Sequence, residues 1–120
     1  MASTILAQTH GHPYLIQLVC DELCRLLNEP PARLRATDGD LERAFDAAIT
    51  KAGGVLFSEL WSQRTPEERL CLRALTRGPL VPDNAASAVP GLLQERFVER
   101  RDDHLEIAVP LFRRWIVENT

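Results

Sequence analysis

Apolar residues recur at helical spacing through most of this chain, and each run closes on a stop signal. From Pro13 to Asn28, Leu15, Val19, Leu23 and Leu27 form one row, widened by Ile16, Leu18, Cys20, Cys24 and Leu26. Gln17, Asp21, Arg25 and Asn28 form the polar stripe. An arc this wide predicts a helix covered on most sides. Asn28-Glu29-Pro30-Pro31 ends it, because proline has no N–H to continue the ladder. The next run is the most regular: Leu41, Ala44, Phe45, Ala48, Ile49 and Ala52 follow i, i+3, i+4, i+7, i+8 and i+11. Thr37 stands where an N-cap belongs, with Asp40 placed to close a capping box.

Gly53-Gly54 predicts a break, followed by a shorter helix carrying Val55, Phe57, Leu60 and Trp61. Thr65-Pro66-Glu67-Glu68 is a helix start, with threonine as cap, proline in the first turn and Glu68 closing a box. Leu70, Cys71, Ala74 and Leu75 are read as facing inward, and Gly78-Pro79 stops this helix. A short helical turn is expected over Asp83 to Val89, then a helix opened by Pro90 with Leu92, Leu93 and Phe97 apolar. After Arg96 the period changes. Phe97 to Arg101 reads as a short strand, Asp102-Asp103 as a turn, and Leu105, Ile107 and Val109 as a half-buried strand. A last helix starts at Pro110, with Leu111, Phe112, Trp115 and Ile116 inward and Arg113, Arg114 and Glu118 outward.

This order predicts a mainly α protein with one small β-hairpin. Residues 1–64 read as a helical bundle and residues 65–120 as a winged helix-turn-helix, with Trp61 and Trp115 at or near the seam. The length of 120 residues suits one ordinary domain or two small ones. A net charge of −3 argues against a chain that is basic overall and binds nucleic acid through its total charge. No apolar run approaches a membrane span, and no signal peptide is visible. An odd cysteine count, three, without secretory context points to reduced thiols and a cytoplasmic location. Cys20 and Cys24 lie one helical turn apart with His10 and His12 nearby, but their spacing fits no zinc motif, and small core residues are the simpler reading.

Candidate chemistry concentrates at His10-Gly11-His12-Pro13-Tyr14. Proline suits the first helical turn, and the glycine before it permits a sharp turn or a close approach. This start and its continuation, GHPYLIQLVCDELCRLLNE, resemble the helical lid of AAA+ and STAND nucleotide-switch ATPases of bacteria and archaea. The Thr37-x-x-Asp40-Leu41-x-x-Ala44 helix, Phe57-x-x-Leu60-Trp61, the Thr65-Pro-Glu-Glu-Arg69 start and the closing VPLFRRWI extend the resemblance over nearly the whole chain. The resemblance implies a lid that closes over nucleotide from a P-loop core of the same parent chain, followed by a winged helix that rides on the lid. It implies that Pro13 packs on the adenine of ATP or ADP, with Gly11 giving backbone access and Tyr14 or His12 lining the pocket. Magnesium and the phosphates would belong to the parent's core. Two departures stand out. Tyr14, Leu15 and Ile16 follow Pro13 where many lids carry a sensor arginine, and Val109-Pro110 stands where many STAND winged helices carry a phosphate-sensing histidine.

The chain has no Gly-x-x-x-x-Gly-Lys-Ser/Thr loop, and no acidic pair follows an apolar strand, so no chemistry of its own is expected. The role implied is regulatory: nucleotide state positions the winged helix, which relays it to a protein partner. A DNA-binding winged helix is the alternative. Its contacts would be Gln94 and Arg96 in the Pro90–Arg96 helix and Arg100 and Arg101 in the wing, opposed by Glu95, Glu99, Asp102 and Asp103. A plain protein-interaction module is the third reading. A lid separated from its core would expose apolar surface around Tyr14, Leu15 and Leu18, which predicts self-association of the isolated chain.

Overall fold

A computed structural model describes residues 2–79, 98–101 and 104–120. Among them are six helices, α1 (Ala2–Thr9), α2 (Pro13–Asn28), α3 (Asp38–Thr50), α4 (Ala52–Ser62), α5 (Pro66–Leu75) and α6 (Pro110–Asn119), and two strands, β1 (Val98–Arg101) and β2 (His104–Ile107). The protein is therefore mainly helical with one small antiparallel sheet. The expected helices over Asp83–Val89 and Pro90–Arg96 lie outside the described residues. No helix among those described is long and apolar enough to cross a membrane.

The chain gathers into two compact units, Met1–Leu56 and Phe57–Thr120, dividing within α4. In the first unit α2 and α3 make the main helix contact, with α1 against α2. Leu41, Ala44, Phe45, Ala48 and Ile49 are all buried, as the regular spacing predicts. Burying a Leu, Ile or Phe side chain contributes about 1.5–3 kcal/mol. On α2 the buried line is Leu15, Val19 and Leu26, narrower than the expected arc. Cys24, expected inside, is exposed, and Cys20 is half-buried.

Capping fixes where α3 starts. The Thr37 hydroxyl accepts from Asp40 N at 3.1 Å, and Asp40 Oδ2 accepts from Thr37 N at 2.8 Å. Arg33 adds two parallel hydrogen bonds to the Asp40 carboxylate, both 2.7 Å, clipping the connection from α2 onto the helix start. Sequence spacing gave no sign of this pair. The break after α3 falls at Lys51, whose backbone leaves the helical region (φ −98°, ψ −124°), and Gly53-Gly54 lies inside the first turns of α4. Across the helices, Lys51 Nζ donates to both Glu22 oxygens at 3.1 and 3.2 Å.

In the second unit α5, β2 and α6 pack on one another. Leu111, Phe112, Trp115 and Ile116 are buried on α6, as expected. From α4, Phe57 stacks on Phe112 at 5.1 Å between ring centroids. Trp61 and Trp115, expected at or near the seam, meet edge to face at 6.3 Å inside this unit. On α5 the inward residues are Glu68, Cys71, Leu72 and Leu75, whereas Leu70, expected inside, is 64% exposed. The hairpin pairs Val98 with Ile107 and Arg101 with His104.

The start of α5 repeats the device of α3. Thr65 Oγ1 accepts from Glu68 N at 3.1 Å, and Glu68 Oε1 accepts from Thr65 N at 2.9 Å. Both donors would otherwise be left over at the helix end. Thr65→Ala is expected to lose about 1 kcal/mol in urea denaturation, with Thr65→Ser retaining most of it. An unchanged midpoint for the alanine variant would show that the cap is dispensable.

Candidate functional site

The site begins with a helix that the apolar pattern did not show. α1 is only eight residues long, with Ile5 and Thr9 buried. The Thr9 hydroxyl donates to Ile5 O at 2.7 Å, so a buried polar group is satisfied within the helix. His10 then takes a left-handed conformation (φ 51°), and Gly11 another (φ 71°). Gly11 N donates to Leu6 O at 3.1 Å and His10 N to Ala7 O at 3.4 Å. These are the two hydrogen bonds of a Schellman motif, with His10 at the left-handed position. His12 N donates to Thr9 O at 3.0 Å, and His12 returns to extended backbone (φ −67°, ψ 117°) as the N-cap of α2. Pro13 opens α2, and Ile16 N donates to His12 O at 3.0 Å.

This turn accounts for each residue type. The φ of +71° suits glycine at position 11, because other residues rarely hold that conformation. A Cβ there would meet nothing within 4 Å, so crowding by the protein does not select the glycine, and the face above it is open. Pro13 fills the position where a missing N–H costs least. Gly11, Pro13 and Tyr14 are exposed and His12 is half-buried. Tyr14 keeps 45% of its surface and Leu6 53%. The corner thus offers a rigid proline, an aromatic ring and an open glycine, which suits a flat apolar ligand face. The apolar patch expected around Tyr14, Leu15 and Leu18 is smaller than its sequence suggests, since Leu15 is 1% exposed and belongs to the core.

Of the residues read as nucleic-acid contacts, Gln94 and Arg96 lie outside the described residues. Arg100 is exposed on β1 opposite Leu105, and Arg101 ends that strand. His104 lies on β2, with Nε2 2.7 Å from Glu106 Oε1.

Ion pairs shift several groups. The Arg33 guanidinium holds the Asp40 carboxyl well below the usual carboxylate range, helped by the Thr37 N–H and hydroxyl and opposed by burial. Burial pushes Glu22 up, but hydrogen bonds from Lys51 and Arg25 outweigh it and leave the carboxyl lowered. Burial pushes the Cys71 thiol up, and the nearby Glu68 charge adds to this, so Cys71 is a poor nucleophile.

A second group of side chains leaves no signature in the apolar pattern of the sequence. Arg69 and Arg73 of α5 both lie over the Trp61 ring, at 6.0 and 5.4 Å from its centroid. Arg69 also donates to Trp61 O and Ser62 O at 3.0 and 2.9 Å. The i, i+4 arginines were visible in the sequence, but their aromatic platform comes from another helix.

Compared with known proteins, the chain matches no family model, no curated protein and no solved structure.

Proposed function

We propose that this chain is a non-catalytic regulatory segment of a nucleotide-dependent switch ATPase, a lid followed by a winged helix. The observation that carries the reading is the corner at Gly11-His12-Pro13-Tyr14, exposed at all but the half-buried His12, where a left-handed turn delivers a proline to the first position of α2. In this reading Pro13 covers one face of the adenine, Gly11 leaves room for close approach, and Tyr14 and His12 border the base. A pre-set proline ring buries a flat surface at little ordering cost. The corner supplies apolar contact and no arginine or lysine, so the phosphates and magnesium of ATP or ADP belong to a P-loop core of the same parent chain. Nucleotide state then acts through differential contacts: the lid touches the base in the closed arrangement and not in the open one, and the second unit relays the difference to a protein partner.

The test uses the parent ATPase. Pro13→Ala is expected to weaken ADP binding about tenfold by calorimetry, roughly 1.4 kcal/mol. Pro13 opens α2 and exposes its ring, so far-UV circular dichroism should be unchanged. An unaltered ADP affinity with intact helicity would remove Pro13 from the site.

A further inference from the structure

The second unit carries a cluster of cations with no counterpart in the proposed switch. Arg69 and Arg73 stand i, i+4 on α5, and Arg77 follows in the turn that closes the helix, where Arg77 N donates to Ala74 O at 3.1 Å. The pair on α5 covers roughly 6 Å at 1.5 Å per residue. Arg113 of α6 joins it, with Nη2 and Nε donating to Thr76 O at 2.7 and 3.2 Å.

Three of these guanidiniums are held in place by neutral groups. Arg69 is fixed by carbonyls at the end of α4 and by the Trp61 ring, Arg73 by the same ring, and Arg113 by the Thr76 carbonyl. Among the described residues none of the four arginines makes an ion pair, whereas Arg25, Arg33, Arg43 and Lys51 of the first unit all do. Arg73, Arg77 and Arg113 are exposed. Helix C-termini favour nearby cations, which accounts for the placement of all four, Arg69 at the end of α4, Arg73 in the last turn of α5, Arg77 just beyond it and Arg113 on the Thr76 carbonyl, but not for their lack of acidic partners. Positioned guanidiniums with free donors suit phosphate oxygens, because little side-chain freedom is left to lose on binding.

We infer that this arginine face docks on the phosphate backbone of duplex nucleic acid without reading its sequence. Arg69 and Arg73 share one helix, and Arg77 and Arg113 flank its C-terminal end, so the cluster faces a strand of charges with several cations at once. Trp61 already serves as platform for two guanidiniums and packs on Trp115, so it holds cations and leaves base stacking unsupported. That separates a duplex from a single strand, whose binding relies on free aromatic faces. The surface is distinct from Gln94, Arg96, Arg100 and Arg101 and does not depend on the nucleotide reading. The net charge of −3 makes the attraction local to this face.

Fluorescence anisotropy with a labelled mixed-sequence 20-base-pair duplex tests the inference on the whole chain. Four phosphate contacts predict a loss of affinity on the order of a hundredfold between 50 and 200 mM salt. Arg73→Glu/Arg77→Glu should weaken binding at low salt at least tenfold. Arg35→Glu/Arg43→Glu, the same charge change on the first unit, should leave it within about twofold. Arg77→Glu alone alters a side chain outside the core and should already weaken binding severalfold with unchanged circular dichroism. Absence of salt-dependent binding, equal loss in both double variants, or tighter binding of a 20-nucleotide single strand or of polyglutamate would each overturn the inference.

Discussion

Phe57→Ala is expected to cost about 3–5 kcal/mol, a large share of the stability of a unit this size. Phe57 is fully buried, stacks on Phe112 at 5.1 Å and leans on Trp115 at 6.3 Å. Removing it leaves a cavity that two neighbouring rings cannot close, since both are anchored on α6. It also deletes two ring contacts, each worth about 0.5–1.5 kcal/mol beyond burial. Both tryptophans of the chain lie in the second unit, so their fluorescence reports its unfolding. Urea titration of wild type, Phe57→Ala and Phe57→Leu should rank them in that order of loss, with leucine costing less because it fills more of the space. A loss under about 1 kcal/mol for alanine would show that the ring cluster is not the core of this unit.

The features legible in the sequence were those set by short-range physics. Both capping boxes are local, each needing only a hydroxyl and a carboxylate three residues apart, and Thr37–Asp40 and Thr65–Glu68 form as read. The period of α3 was readable because its small and large apolar residues leave one face only. On α5 three apolar residues are adjacent, Leu70, Cys71 and Leu72, and a helix can bury two of them. Which two depends on where β2 and α6 sit, information that lies elsewhere in the chain; Cys71 and Leu72 go in. α1 escaped because two buried residues in eight define no period, and a helix this short forms only when packed. Glycine costs about 1 kcal/mol in a helix interior, so the pair predicts a break, yet α4 includes both. Downstream burial of Phe57 offsets that preference.

The same division runs through the candidate site. Pro13 at the start of α2 could be read from one residue and its neighbours. The reason for Gly11 could not, because its left-handed conformation reverses the path from a helix that the sequence pattern hid. The arginine face was harder still. Arg69, Arg73 and Arg113 are positioned by Trp61 and by carbonyls at helix ends, partners up to 37 residues away. Long side chains across such separations leave no periodic trace.

Asp40→Asn is expected to lower the melting temperature at pH 7 and to flatten its dependence on acid. Asp40 is buried, accepts two hydrogen bonds from Arg33 and two from Thr37, and keeps its proton affinity depressed in the folded chain. A carboxyl depressed on folding contributes its full stabilisation above the unfolded value, roughly 4. That contribution is lost as pH falls through and below this range, because the folded protein must then take up a proton against the Arg33 charge. Asparagine keeps the shape and some of the Thr37 contacts but has no charge to lose. The melting curves of the two proteins, followed by circular dichroism, should therefore lie far apart at pH 7 and converge between about pH 4 and pH 2. Glu22 is lowered as well, but it is present in both proteins and cancels in the comparison. Arg33→Ala should converge with wild type over the same pH range, and the double variant should lose less than the sum of the two single losses, because both remove one interaction. A separation that stays constant from pH 7 to pH 2 would mean that Asp40 acts through its shape alone and that the Arg33 charge adds nothing.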